Sequence, residues 1–113
     1  MERYEFNPKK CYITSAWVER AVAESAAQEI AALDGLIRFE ELDSEDKMVR
    51  RRWLAWLPSG GLGVCLGWNE ARKQWFASVW ADPPNPEMIA AADGLADRLA
   101  AEGSERLRGR TRE

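Results

Sequence analysis

The chain has 113 residues, a formal net charge of −3 and no histidine. This length allows one domain with one hydrophobic core. The missing histidine excludes a Ser-His-Asp triad, a Cys-His pair and an HExxH zinc site, and two cysteines are too few for a structural zinc centre. Acid–base chemistry is left to carboxylates, Lys, Tyr or a Cys without an imidazole base, so we expect no enzyme, no cofactor and no metal.

The first 35 residues predict one helix. Residues 1–13 are mixed, and only 10–13 have some β character, which leaves a short strand open there. Residues 15–34 place apolar side chains three or four positions apart, as on one face of a helix. That stripe consists of Val18, Val22, Ala26, Ile30 and Leu33. Thr14 or Ser15 is suited to cap the start, and Gly35 the end.

An acidic stretch follows the first helix. Residues 36–39 favour the start of a strand, after which carboxylates accumulate up to Asp46. We interpret residues 40–46 as a solvated loop. The alternatives are imitation of a phosphate backbone, pairing with a basic partner protein and weak binding of a divalent cation, although the spacing of an EF-hand is missing.

Residues 48–81 predict three strands. The apolar runs are Val49–Leu57, Leu62–Trp68 and Gln74–Ala81, and the second alternates strictly between large side chains and Gly or Cys. Period two is the strand pattern, because successive side chains point to opposite faces. The connections are too short for a parallel crossover, so the pairing is antiparallel. The alternative is a helix over residues 46–57.

The last third predicts a second helix and a tail. Asn85 suits the N-cap position, and Pro86 suits the first helical position, where its missing N–H costs nothing. The helix runs over 86–102, and Gly103 is placed to end it. We expect residues 104–113 to be a frayed basic tail. The predicted fold is therefore α+β, a three- to four-stranded antiparallel meander with an N-terminal and a C-terminal helix packed on one face, in a single domain of residues 1–103.

Charge is segregated along the chain. Residues 1–46 hold 5 basic and 11 acidic side chains (net −6), whereas residues 47–81 hold 6 basic and one acidic side chain (net +5). Residues 82–113 return to net −2. Five of the six tryptophans lie in the positive segment: Trp53, Trp56, Trp68, Trp75 and Trp80.

This Trp-rich segment predicts a partner-binding face. Burying one Trp removes about 200 Å² from water, and two Ala-rich helices are too thin to cover five such rings. Alternation puts Trp68 and Trp75 on the expected inner face and favours Trp56 and Trp80 on the other. Exposed aromatic and Arg side chains are common anchors of protein interfaces. The predicted partner-binding residues are Trp56, Trp80, Arg50, Arg52, Arg72 and Phe76.

The partner that we expect is another protein or a second copy of the chain. The alternative is single-stranded nucleic acid, because bases stack on aromatic rings while Arg and Lys neutralise phosphates. The acidic charge of the whole chain disfavours that alternative.

The stretch from Trp53 to Asp82 contains Leu-Ala-Trp-Leu-Pro, then Leu-Gly-Trp-Asn, then Gln-Trp-Phe-Ala-Ser-Val-Trp. It resembles small accessory proteins carried by bacterial plasmids, integrons and phages. The resemblance implies a mobile-element setting and action by binding a larger machine, as anti-CRISPR and anti-restriction inhibitors do. It assigns no catalytic or binding residues.

The sequence also suggests a location. No segment reaches the roughly 20 apolar residues of a membrane span, and the charged start lacks the apolar run of a signal peptide. We therefore expect a small soluble cytoplasmic protein without membrane contact.

Overall fold

The computed structural model of the chain describes residues 10–43, 49–101 and 107–111. Within these ranges six strands form one antiparallel sheet in the order β2-β3-β4-β5-β1-β6. The strands are β1 (Tyr12–Val18), β2 (Arg38–Leu42), β3 (Val49–Leu57), β4 (Gly60–Asn69), β5 (Gln74–Asp82) and β6 (Leu107–Thr111). The helices are α1 (Arg20–Ala31) and α2 (Pro86–Leu99).

The predicted meander forms the centre of the sheet. β3 pairs with β4 and β4 with β5, all antiparallel, so the strand interpretation of 49–57 is confirmed and the helical alternative is wrong there. The sheet is wider than the predicted three to four strands, because β1 pairs with β5 and β2 with β3. The α+β class with an antiparallel meander is confirmed.

Both helices pack on one face of this sheet. Thr14, Val64 and Val79 lie in register on that face and are almost completely buried. Buried side chains of α2 cover them: Met88, Ala92, Leu95, Ala96 and Leu99. Tyr12 also donates its hydroxyl hydrogen bond to Asp93 Oδ1 at 2.6 Å, which joins β1 to α2.

The N-terminal elements differ from the prediction. The helix begins at Arg20 instead of residue 15, and β1 precedes it. Alternate side chains of β1 point into the core, so Val18 is a buried strand residue and not part of a helical stripe. Glu19 is the N-cap, without a side-chain hydrogen bond, so neither Thr14 nor Ser15 caps this helix.

The acidic stretch is partly a strand. β2 includes Glu40 and Glu41, where we predicted a loop, and it is the edge strand beside β3. Charged side chains are common on edge strands because they discourage pairing with another chain. Phe39 supplies the packing, since it lies opposite Ala55 and contacts the core. Asp43 follows the end of β2, and residues 44–46 of the stretch lie outside the described residues.

The C-terminal elements confirm one prediction and correct another. Asn85 Oδ1 accepts a hydrogen bond from Met88 N at 2.8 Å, so Asn85 is the N-cap of α2, with Pro86 at its start. The predicted tail is not entirely frayed, because its backbone forms β6 along β1. Gly103, the predicted helix stop, lies outside the described residues. None of the helices described combines the length and apolar character that crossing a bilayer requires.

Candidate functional site

The sheet face opposite the helices is lined with large apolar side chains. In β1, β3 and β5, alternate residues point away from the core, and the pairing registers place them on one common side of the sheet. We call this set the aromatic face: Ile13, Trp17, Leu54, Trp56, Phe76 and Trp80. Among the described residues no helix packs on it, since both helices contact the other side.

The central strand contributes almost no side chains to the aromatic face. β4 places Gly61, Gly63 and Gly67 there, with Cys65 between them. Trp56 lies opposite Gly61 on one side, and Trp80 lies opposite Gly63 on the other. The glycines thereby leave room for two indole rings above the middle of the sheet. Trp56 and Trp80 do share one face, as the alternation predicted.

Two arginines lie over rings of this face. The Arg38 guanidinium is 4.5 Å from the centre of the Trp56 ring, and that of Arg72 is 4.2 Å from the Trp17 ring. Such cation–π contacts contribute about 0.5–1 kcal/mol each at exposed sites. Trp17 also contacts Phe76 edge-on, with ring centres 6.5 Å apart and planes at 77°. The rings are therefore held in fixed orientations.

The rings of the aromatic face are half-buried. Trp17, Trp56, Phe76 and Trp80 each keep part of their surface in contact with solvent, whereas Trp53 on the helix side is 1% exposed. Trp80 Nε1 is nevertheless buried, and no described residue forms a hydrogen bond with it. The face thus offers partial ring surfaces instead of fully exposed indoles.

Five of the six predicted partner-binding residues converge on this face. Trp56, Phe76 and Trp80 belong to it, Arg52 lies opposite Cys65 on the same side, and Arg72 reaches it through Trp17. Arg50 does not. β3 carries one extra residue between Val49 and Arg51, and this bulge breaks the alternation that would have put Arg50 beside Arg52.

Arg50 instead lines a cleft at one end of the helix side. The cleft lies between the start of α1 and the ends of β3, β4 and β5, with a volume of about 820 Å³. A second space of about 270 Å³ adjoins it and shares Arg20, Arg50 and Trp75. We call both spaces together the end cleft; the other lining residues are Val18, Glu19, Glu24, Arg51, Leu66, Trp68, Lys73 and Gln74.

Sequence reasoning missed Trp17 of the aromatic face and Arg38, which lies over the Trp56 ring of the same face. The helix predicted over 15–34 includes Trp17, whereas the alternation of Tyr12, Thr14, Ala16 and Val18 is the pattern of strand β1. Arg38 was missed because its strand carries charges. Within the described ranges no group of three or more His, Cys, Asp or Glu side chains is placed to hold a metal ion.

The fold and these surfaces define a class of protein: a small α+β domain with helices on one face of an antiparallel sheet and aromatic side chains on the other. A scan against protein-family models, a search of curated proteins and a search of solved structures each give no match. The functional argument therefore depends on the surfaces themselves.

Proposed function

We propose that this chain is a non-enzymatic protein-binding domain whose aromatic face contacts an acidic protein partner. The supporting observation is the clustering of three Trp and one Phe on the sheet face that the helices leave uncovered. Trp and Arg are the residues most often found at the energetic centres of protein interfaces. The rings of the aromatic face are already held by their contacts with neighbouring side chains, so binding costs little side-chain entropy.

Charge favours an acidic partner. Arg38, Arg52 and Arg72 lie on this face or over its rings. Among the described residues, the register places two carboxylates on the same side, Glu40 and the buried Asp82. Glu40 forms an ion pair with Arg38 at 2.9 Å. The three cations outnumber the two carboxylates, so the face carries a small excess of positive charge. A partner surface that combines apolar side chains with carboxylates complements this arrangement.

The resemblance of Trp53–Asp82 gives this proposal its setting. A cytoplasmic accessory protein of a plasmid or phage acts by occupying a surface of a larger machine, as an anti-CRISPR or anti-restriction inhibitor does. Such a role needs an interface and no catalytic group. The positive aromatic face argues against imitation of DNA, which requires an acidic surface.

The experiment is site-specific photocrosslinking in the cell that makes the protein. p-Benzoyl-phenylalanine replaces Phe76 on the aromatic face in one variant, and it replaces Ala90 on the exposed side of α2 in the control. We expect a protein adduct from the Phe76 position only. The charge reversal Arg52→Glu should reduce that adduct at least about five-fold, the effect of losing about 1 kcal/mol at an interface.

Arg51→Glu is the matched control, because it carries the same charge change one residue away on the opposite side of β3. An adduct of an acidic protein at the Phe76 position, weakened by Arg52→Glu and not by Arg51→Glu, supports the proposal. Equal adducts at both crosslinker positions contradict it. So does an adduct with a second copy of the chain, or one that nuclease removes.

A further inference from the structure

The end cleft has a floor of two indoles. Trp68 and Trp75 lie directly opposite each other on β4 and β5, with ring centres 5.6 Å apart and planes at 66°. Trp68 Nε1 donates a hydrogen bond to Glu70 Oε2 at 2.8 Å, which fixes that ring. Both rings are half-buried, and both line the cleft.

Cations surround this floor. Four of the lining side chains are positively charged: Arg20, Arg50, Arg51 and Lys73. Arg20 forms an ion pair with Glu24 at 3.2 Å, whereas among the described residues the other three form none. Glu19 is the remaining acidic residue of the lining. The Glu70 carboxylate also lies at the floor, on the Trp68 ring. The four cations therefore exceed the three carboxylates at the cleft by one, and among the described residues three of these cations form no ion pair.

Two local features of the backbone bring two of these cations, Arg50 and Lys73, to the cleft. The β3 bulge turns Arg50 toward the helix side. Lys73 ends the β4–β5 connection with φ of 52°, a conformation that non-glycine residues seldom adopt. Arg72 and Lys73 are adjacent, yet Arg72 lies over the aromatic face and Lys73 lines the cleft.

We propose that the end cleft binds a nucleobase that carries a phosphate, either as a free nucleotide or as part of a single strand. An indole is a stacking surface for any base, and guanidinium and ammonium groups are the usual phosphate ligands. The main space is within the range of about 300–1,000 Å³ that small-molecule sites occupy. Because this cleft and the aromatic face lie on opposite sides of the sheet, this binding is independent of the proposed protein partner.

The test is a titration of the intact chain with AMP, followed by ¹H–¹⁵N NMR of the six indole N–H groups. We expect saturable shifts of the Trp68 and Trp75 signals, with those of Trp56 and Trp80 unchanged. Adenosine lacks the phosphate and ribose 5-phosphate lacks the ring, so each should bind about ten-fold more weakly than AMP. Rising salt should weaken AMP binding, since phosphate contacts are electrostatic.

Two substitutions in the cleft should each weaken AMP binding about ten-fold. Arg51→Gln removes one unpaired cation, and Lys73→Asn removes another while keeping a residue that tolerates positive φ. Arg52→Gln is the matched control on the opposite face and should change the affinity less than about two-fold. An unchanged denaturation midpoint shows that each variant is folded.

A titration with a short oligodeoxyadenylate distinguishes a free nucleotide from a single strand as the ligand. Binding more than about ten-fold tighter than AMP identifies a single strand as the ligand, and weaker binding identifies the free nucleotide. The proposal is overturned if no indole signal saturates at about 10 mM AMP in low salt, or if ribose 5-phosphate binds as tightly as AMP. An equal loss from Arg51→Gln and Arg52→Gln, or tighter binding of an acidic aromatic peptide, also overturns it.

Discussion

Trp53 and Trp56 are three residues apart on β3, yet the structure gives them opposite roles. Trp53 lies opposite Val64 on the helix side and is 1% exposed, whereas Trp56 lies half-buried on the aromatic face. A fully buried indole removes about 200 Å² from water, which at about 25 cal/mol per Å² corresponds to about 5 kcal/mol. Since Ala keeps part of that burial, we expect Trp53→Ala to lower the free energy of unfolding by about 4 kcal/mol.

Trp56→Ala should cost less. It removes a half-buried ring, which by the same arithmetic contributes about 2 kcal/mol, and one cation–π contact with Arg38 of about 0.5–1 kcal/mol, together about 2.5–3 kcal/mol. Trp53→Phe is the informative third variant, because Trp53 Nε1 is buried and has no hydrogen-bond partner in the part of the chain that the structure describes. Phe keeps most of the ring and removes that unsatisfied N–H, so its cost should be only about 1 kcal/mol.

The assay is urea denaturation followed by far-UV circular dichroism, which does not depend on the Trp signals that the variants remove. If Trp53→Ala leaves the chain partly unfolded, the comparison of Trp53→Phe with Trp56→Ala still tests the assignment. Equal losses for Trp53→Ala and Trp56→Ala would refute it. A loss for Trp53→Phe as large as about 4 kcal/mol would refute the account of the indole N–H.

The same denaturation assay checks three further predictions. Gly60→Ala should cost about 3 kcal/mol, because φ is 152° and a Cβ there would overlap the Asp82 carbonyl and the Pro83 ring at the end of β5. Gly94→Ala, on the exposed side of α2, meets open space and should stabilise by about 0.5–1 kcal/mol; equal effects of the two substitutions would contradict this. Asn85→Ala should cost about 1 kcal/mol through loss of the N-cap, with Asn85→Asp close to wild type; an equal cost for both would remove the capping role. Tyr12→Phe should cost about 1 kcal/mol by removing the hydrogen bond to Asp93, and no change would show that this bond contributes nothing.

The meander was predictable because its strands follow one rule. Large residues alternate with glycine over 62–68, and short turns separate the runs, so register and face followed from the sequence. The second helix was predictable for a similar reason, since its cap and first position are both local. The outer strands β1, β2 and β6 were less predictable from the sequence. β6 contains few apolar residues, and it forms because β1 offers it a free edge to pair with.

The candidate site was predictable where alternation is unbroken and not where it is interrupted. Phe76 and Trp80 follow the period of β5 and share the expected face. Arg50 follows a bulge, which a single sequence does not reveal, and so it lies in the end cleft. The pairing of Arg72 with Trp17 depends on β1 lying beside β5, a contact between residues far apart in the chain.

Hydroxyl-radical footprinting of the photocrosslinked complex, compared with the unbound chain, tests the binding role of the aromatic face most directly. Mass spectrometry reports oxidation at each tryptophan separately. We predict that Trp17, Trp56 and Trp80 become protected in the complex while Trp68 and Trp75 keep the oxidation rates of the unbound protein. Protection of Trp68 and Trp75 with no change on the aromatic face would contradict the proposed function.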